Sequence, residues 1–178
     1  MTEIPEVLER LPGHIYLIGF MGSGKTCTGR GLAQILGRPF VDLDEEIERR
    51  AGMPVRDIFA RLGELYFRRL ESEELKRAAA AERSVIALGG GAFCSPENRE
   101  VVRSTGTSVW LDVSIETVIA RCQREDSRPL FKGQREMEDL LTSRRPAYAL
   151  ADIRIEAEGL TVETVAERII AALGGRGM

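Results

Sequence analysis

The chain has few cysteines and a single histidine, which leaves little material for metal or redox chemistry. Its three cysteines, Cys27, Cys94 and Cys122, are odd in number and lie far apart. No spacing among them is typical of a zinc site or a redox pair, so we expect reduced thiols in the cytoplasm. We interpret His14, the only histidine, as a structural residue at the start of a strand.

Long apolar runs are also missing from the sequence. No run approaches the roughly 20 residues that a membrane-spanning helix needs. The first ten residues, MTEIPEVLER, lack the basic start and the apolar core of a signal peptide. We therefore expect a cytoplasmic protein that does not bind a membrane.

Lysine is scarce, and the chain carries no excess of positive charge. Lysine occurs only at Lys25, Lys76 and Lys132, arginine makes up the rest of the 25 basic residues, and the formal net charge is −3. This balance, without a basic stripe interleaved with aromatic residues, argues against a nucleic-acid partner. We attribute most of the arginines to composition bias. A minority are candidates for binding a carboxylate or phosphate, because a guanidinium donates two parallel hydrogen bonds.

Short apolar runs alternate with helix-period segments along the whole chain. Its 178 residues, 43% hydrophobic and 30% charged, suit one globular domain over residues 1–178. The apolar runs predict strands at 14–18, 39–42, 84–88, 107–111 and 152–156. The periodic segments predict helices at 27–36, 44–51, 55–62, 64–81, 96–104, 115–123, 135–150 and 162–173. This alternation predicts an α/β fold in which helices cover both faces of a parallel sheet.

One polar segment, residues 125–133, interrupts the alternation. It contains Pro129 and Gly133 and lies between two predicted helices. A mobile lid over a phosphate site has this composition, and so does an ordinary surface loop. Both interpretations stay open at this point.

Residues 19–26, GFMGSGKT, form a Walker A loop between the first predicted strand and the first predicted helix. Its glycines allow consecutive N–H groups to turn inward around an anion, and the helix N-terminus adds a partial positive charge. Lys25 is expected to reach the β- and γ-phosphates, and the Thr26 hydroxyl to ligate Mg²⁺. We assign ATP binding to the end of this loop and the start of the helix, at Gly22, Ser23, Gly24, Lys25, Thr26 and Cys27.

A P-loop enzyme usually needs an acidic group near the metal. The preferred candidates are Asp42 and Asp44 at the end of the second strand, because residues two apart in an extended segment point the same way. In the alternative interpretation Asp44 only caps the following helix. Asp112, after the fourth strand, is a second candidate for the metal.

Several motifs, in order, resemble the shikimate kinase family over nearly the whole chain. They are GFMGSGKTCTGRGLA, VDLDEEIERRAGMPVRDIFARLGELYFRRLE with its D-x-D and G-E-x-x-F-R-x-x-E hallmarks, LGGGA, RPL and R-x-P-x-Y. The resemblance implies a nucleoside-monophosphate-kinase-like, three-layer αβα P-loop kinase with a mobile lid and a five-stranded parallel sheet of order 2-3-1-4-5. It implies a shikimate-binding segment at about 43–72 and a lid at about 123–135. It also implies ATP- and Mg²⁺-dependent phosphorylation of the 3-hydroxyl of shikimate, with one Mg²⁺ per subunit, in the pathway to chorismate and the aromatic amino acids.

The resemblance also assigns roles to individual residues. Asp42 would assist the metal with Thr26, Asp44 would hydrogen-bond the shikimate hydroxyls or act as base, and Lys25, Asp44 and Arg128 would form the catalytic set. Arg121 and the lid residue Arg128 would bind ATP. The substrate-binding set comprises Asp44, Arg68, Gly89, Gly90, Gly91 and Arg144. A one-residue shift would replace Arg144 by Arg145, and no counterpart of the family's adenine-contacting loop is recognisable near residues 156–160.

The residue types agree with this interpretation. Shikimate is a small hydroxylated anion, so its site needs guanidinium groups, a carboxylate acceptor and close approach of main chain. Three successive glycines after a buried strand lower stability and make sense where a ligand contacts backbone. Two rival functions stay open: a related small-molecule kinase such as gluconate kinase, and a nucleotide-dependent switch module. No apolar surface pattern demands a dimer, so we expect a monomer that binds ATP and shikimate.

Overall fold

The computed structural model describes residues 13–124 and 133–175. Five parallel strands form one sheet: β1 (His14–Ile18), β2 (Phe40–Asp42), β3 (Val85–Ala87), β4 (Gly106–Asp112) and β5 (Ile153–Glu156). Their order across the sheet is β2-β3-β1-β4-β5. The predicted α/β class and the predicted strand order are therefore confirmed.

Seven α-helices lie in the described residues and connect or follow these strands. They are α1 (Lys25–Leu36), α2 (Leu43–Ala51), α3 (Val55–Ala79), α4 (Pro96–Thr105), α5 (Ile115–Arg124), α6 (Gln134–Tyr148) and α7 (Val162–Gly175). Helices α1 and α7 pack against each other, and α3 packs against α2 and α4. Every predicted helix is present. Among the described residues, no helix has the length and apolar character needed to cross a membrane.

Two details differ from the sequence-based expectation. The helices predicted at 55–62 and 64–81 are one element, α3, which is kinked at Gly63, where φ is 83°. A short 3₁₀ turn at Ala92–Cys94, which the helix period did not predict, follows the glycine triplet. Residues 125–132 of the predicted lid, with Arg128 and Pro129, lie outside the described residues.

The sheet brings the chemically informative segments to one edge. β1 pairs with β3 and β4, with Leu17 opposite Ala87 and Val109, so the three strands run in the same direction and end together. All five residues of β1 are buried, as expected for a central parallel strand. The Walker A loop, Asp42 and the glycine triplet each follow a strand, and they therefore meet at the carboxyl edge of the sheet.

Candidate active site

The backbone of the Walker A loop adopts conformations that favour glycine. Gly24, directly before α1, has φ of 94°, and Gly19 has φ of 143°. A Cβ at Gly19 would also lie 2.7 Å from the Leu111 carbonyl oxygen of the neighbouring strand. The loop is thus closely packed against β4, and it presents the N-terminus of α1 at the sheet edge.

Lys25 directs its ammonium group back over the loop. Its Nζ donates to the carbonyl oxygens of Gly19 and Phe20, each at 2.9 Å. The charge is therefore concentrated at the loop, where an anion would bind.

Thr26 and Asp42 form the oxygen-rich part of the site. The Thr26 hydroxyl donates to Asp42 Oδ2 at 2.7 Å, while Asp42 Oδ1 accepts from the Asp44 N–H at 3.1 Å. Asp42 is thus the residue that caps α2, and the alternative in which Asp44 is the cap is wrong. The idea that both carboxylates project from one extended segment is also wrong, because β2 ends at Asp42 and Asp44 lies in the first turn of α2.

Asp112, the other candidate for the metal, is occupied by ion pairs. Its Oδ1 lies 3.2 Å from Arg145 Nη2, and its Oδ2 lies 2.6 Å from Arg154 Nη2. Both arginines also lie against the Trp110 ring. The two arginines neutralise the charge of the Asp112 carboxylate. Asp42 is therefore the better-placed carboxylate for a cation beside Thr26.

Helix α3 presents an arginine that is held by two acidic residues. Arg68 Nη1 donates to Glu71 Oε2 at 2.8 Å, and Arg68 Nε donates to Glu64 Oε1 at 3.3 Å. The Glu71 side chain is only 1% exposed, whereas that of Arg68 is 31% exposed. Glu71 therefore anchors the guanidinium from inside, and the outer part of Arg68 is left accessible.

The glycine triplet lets charged side chains approach the main chain closely. A Cβ at Gly89 would lie 2.8 Å from both Asp44 Oδ1 and Glu71 Oε1, and a Cβ at Gly91 would lie 2.5 Å from Arg68 Nη1. Contacts below 3.0 Å do not occur with real Cβ atoms, so alanine at either position would displace these groups. We call the resulting cluster the acceptor pocket; it comprises Asp44, Arg68, Glu71, residues 89–91 and Arg144.

Adjacent arginines on α6 have different surroundings. Arg144 Nη1 lies 3.1 Å from the Cβ position of Gly90, and its Cζ lies 5.6 Å from the centre of the Phe20 ring. Arg145 instead pairs with Asp112 on β4. The geometry brings Arg144, and not Arg145, to the acceptor pocket.

Burial dominates the electrostatics of Glu71. Desolvation raises the pKa of this carboxyl, the adjacent Arg68 opposes the rise, and the neighbouring Asp44 adds to it. Glu71 Oε1 is also buried and accepts no hydrogen bond within the described part of the chain. The acceptor pocket holds two carboxylates and two arginines, so its net charge is close to zero. A bound anion would make the net charge of the pocket negative unless Glu71 took up a proton.

A cleft of about 320 Å³ adjoins the Walker A loop, and its lining shares no residue with the acceptor pocket. Its lining comprises Gly22, Ser23, Gly24, Cys27, Thr28, Arg121, Ala157, Leu160, Val162 and Val165. Arg121 Nη1 donates to the Gly22 carbonyl oxygen at 2.8 Å, which fixes this guanidinium beside the loop. We call this space the nucleotide cleft.

The sequence-based reasoning missed the apolar part of the nucleotide cleft. Ala157, Leu160, Val162 and Val165 come from the turn after β5 and from α7, and small or aliphatic residues do not by themselves mark a binding site. The available signal was topological: β5 neighbours β4, so the turn that follows β5 must lie at the same sheet edge as the Walker A loop. Arg128, assigned to catalysis and ATP binding, lies outside the described residues.

A Walker A loop at the carboxyl edge of a 2-3-1-4-5 parallel sheet, with an acceptor pocket beside it, defines a P-loop kinase. The sequence model of the shikimate kinase family matches residues 21–174. A shikimate kinase of Moorella thermoacetica is 48% identical over 165 residues, covering 92% of this chain and 95% of the relative. One of Persephonella marina is 44% identical, covering 88% of this chain and 96% of the relative. The chain belongs to the shikimate kinase family.

Solved structures agree with this assignment. Shikimate kinase from Acinetobacter baumannii in complex with shikimate superposes with a TM-score of 0.90 at 36% identity, covering 96% of this chain and 97% of the other. A gluconokinase from Sinorhizobium meliloti gives a TM-score of 0.60 at 19% identity, covering 94% of this chain and 95% of the other. The second likeness reflects the fold alone.

Proposed function

We propose that this chain transfers the γ-phosphoryl group of ATP to the 3-hydroxyl of shikimate. The observation that carries the proposal is the acceptor pocket, where Arg68 and Arg144 flank glycine main chain and Asp44 lies beside Gly89. Two guanidinium groups suit the shikimate carboxylate, and a carboxylate with close backbone suits its hydroxyls. The shikimate kinase from Acinetobacter baumannii, solved in complex with shikimate, supports the same acceptor.

Phosphoryl transfer depends mainly on positioning and on neutralising charge. In this proposal, Lys25 neutralises charge on the transferring group, and Asp44 accepts a hydrogen bond from the attacking hydroxyl. The hydroxyl oxygen forms a bond to phosphorus as the bond to the ADP oxygen breaks, and the hydroxyl proton leaves to Asp44 or to water. Arg128 would add a further positive charge from the lid.

A magnesium ion fits the oxygen donors next to the Walker A loop. Thr26 Oγ1 and Asp42 Oδ2 lie 2.7 Å apart, and both are the oxygen ligands that Mg²⁺ prefers. We propose that these residues hold one Mg²⁺ with ATP, Thr26 directly and Asp42 through bound water. The ion would supply charge neutralisation on the phosphates. Loss of Mg²⁺-dependent ATP affinity in Asp42→Asn, measured by calorimetry, tests this placement.

A coupled ADP-release assay with shikimate and with gluconate tests the acceptor. We expect turnover with shikimate and none above background with gluconate. Turnover of gluconate alone would assign the chain to the rival sugar-acid kinase activity. A nucleotide-dependent switch would hydrolyse ATP at the same rate with and without either acid, and calorimetry would detect no heat of shikimate binding.

We also propose that the protein is a cytoplasmic monomer. Light scattering after size-exclusion chromatography tests its oligomeric state.

A further inference from the structure

Tyr148 is a buried residue whose hydroxyl reaches the acceptor pocket. It lies one turn after Arg144 at the end of α6, and it is 0% exposed. Its hydroxyl donates to the Gly90 carbonyl oxygen at 2.5 Å. Burial raises the pKa of Tyr148 far above its usual value of 10, so the hydroxyl keeps its proton and stays a donor.

The three carbonyl groups of the glycine triplet are held in different ways. The Gly89 oxygen accepts from the Ala92 N–H, and the Gly91 oxygen accepts from the Cys94 N–H, each at 3.0 Å. Both bonds belong to the tight turn that leads into the 3₁₀ segment. The Gly90 oxygen instead accepts from a side chain, that of Tyr148. The central peptide of the triplet therefore depends on Tyr148 for its orientation.

The orientation of that peptide determines where an N–H group points. The peptide bond between Gly90 and Gly91 is trans, so the Gly91 N–H is antiparallel to the Gly90 carbonyl. With the carbonyl directed at Tyr148, the Gly91 N–H points away from the α6 side. Within the described part of the chain it donates to no acceptor, and the Arg68 guanidinium lies against the Cα of the same residue.

Tyr148 also lies near the second arginine of the acceptor pocket, because Arg144 is four residues earlier on α6. The positive charge of Arg144 acts on the Tyr148 hydroxyl and opposes the rise that burial gives to the Tyr148 pKa. The Trp110 ring, 5.9 Å from the Tyr148 ring, packs on the phenol and restricts its movement.

We propose that Tyr148 is a positioning residue for the acceptor: its hydroxyl orients the Gly90–Gly91 peptide so that the Gly91 N–H faces the bound anion. This inference rests on the proposed function and adds a residue that does not touch the substrate itself. Without the hydroxyl, the peptide between two glycines is free to rotate, since neither residue has a Cβ that restricts it.

The chain offers a matched control for removing this hydroxyl. Tyr16 is also 0% exposed, and its hydroxyl forms a hydrogen bond of 2.6 Å with Thr105 Oγ1, in a region that the acceptor pocket does not include. Tyr148→Phe and Tyr16→Phe each delete one buried, hydrogen-bonded hydroxyl. Both variants are expected to lose similar thermal stability, so any difference in kinetics reports on position.

Steady-state kinetics of the wild type and the two variants test the proposal. We expect Tyr148→Phe to raise the KM for shikimate about tenfold, the factor that matches the loss of one hydrogen bond. Its KM for ATP should stay within about twofold of the wild-type value, and Tyr16→Phe should keep both KM values. An unchanged shikimate KM in Tyr148→Phe, or an equal rise in Tyr16→Phe, would overturn the positioning role.

A measurement on the wild-type protein covers the case in which Tyr148→Phe does not fold. In a shikimate titration followed by ¹H–¹⁵N spectra, the Gly91 amide should show a large shift, and the Gly106 amide, remote from the pocket, should not. A Gly91 resonance that does not respond while shikimate binds would refute the inferred N–H direction. Wild-type turnover of shikimate is measured in the same series. Absence of that turnover would refute the proposed function. Wild-type turnover with an unchanged shikimate KM in Tyr148→Phe, or with an unresponsive Gly91 amide, would refute this inference alone.

Discussion

The nucleotide cleft and the acceptor pocket lie at the same sheet edge but are built in different ways. The nucleotide cleft uses main chain, with glycine backbone, the N-terminus of α1 and an apolar lining. The acceptor pocket uses charged side chains that are held by other side chains, as Glu71 holds Arg68. Backbone suffices to bind a phosphate chain, whereas a small hydroxylated acid needs several directed charges. The two regions should therefore respond independently to substitution.

Lys25→Met should give the largest effect, and it should leave the acceptor pocket unchanged. Removing the charge next to the transferring phosphoryl group is expected to lower kcat by on the order of 10² to 10³. Shikimate binding in the absence of nucleotide, measured by calorimetry, should be unchanged, because the acceptor pocket does not include Lys25. Loss of shikimate binding in this variant would show that the two regions are not independent.

Arg144→Ala should affect the acceptor pocket alone. Loss of a charged hydrogen-bond donor is expected to raise the KM for shikimate by roughly 10- to 100-fold, with a much smaller change in the KM for ATP. Arg145→Ala is the matched control. It removes one partner of Asp112 and should lower Tm while leaving the shikimate KM within about twofold. The reverse result, with the KM effect in Arg145→Ala, would move the carboxylate contact to Arg145.

The sequence predicted the nucleotide cleft and the acceptor pocket to different extents, because the residues of one are contiguous and those of the other are not. The phosphate-binding part of the nucleotide cleft is contiguous, so the pattern of residues 19–26 was enough to locate it. The acceptor pocket combines α2, α3, the turn after β3 and α6, and only the resemblance to a family connected Arg68 with Arg144. The assignments within the pocket remain predictions that the geometry favours.

Some features could not be predicted from local pattern. Spacing suggested that Asp42 and Asp44 share an extended segment, but α2 begins between them and gives Asp42 the capping role. The link from Tyr148 to Gly90 joins residues 58 positions apart, and no periodicity encodes it. The strand order followed from the family, since alternation of strands and helices by itself allows several orders.

Glu71→Gln should change the acceptor pocket moderately. A neutral amide holds Arg68 less firmly than a carboxylate, since charge-assisted hydrogen bonds are about twice as strong, so the shikimate KM should rise about fivefold. The pKa of Glu71 is raised in the folded state, so the folded chain retains a proton that the unfolded chain has lost. The wild-type free energy of unfolding should therefore fall as the pH rises from 4.5 through the raised pKa.

The comparison of wild type with Glu71→Gln isolates this titration. Denaturant melts at several pH values should show a steeper decline for the wild type, because glutamine does not titrate. Parallel curves for the two proteins would show that Glu71 ionises as freely in the folded chain as in the unfolded one, and that Arg68 compensates fully for its burial.

His14 gives the smallest effect and lies outside both regions, at the opposite end of β1 from the Walker A loop. Its Nδ1 accepts from the Ser84 N–H at 3.2 Å, so Nε2 carries the proton and donates to the Ala79 carbonyl oxygen. Burial lowers the pKa of His14 below its ordinary 6.5. As the pH falls through 6.5, the unfolded chain binds a proton that the folded chain does not, so the free energy of unfolding decreases.

The hydrogen bond that His14 donates is worth about 1 kcal/mol, or about 2–4 °C in Tm for a chain of this length. Thermal melts at pH 5.5 and 7.5 should show this decrease in the wild type and a smaller one in His14→Gln. The shikimate KM at pH 7.5 should be the same in both proteins, because His14 contacts neither the nucleotide cleft nor the acceptor pocket. A KM change in His14→Gln would show that the far end of β1 and the active site are coupled.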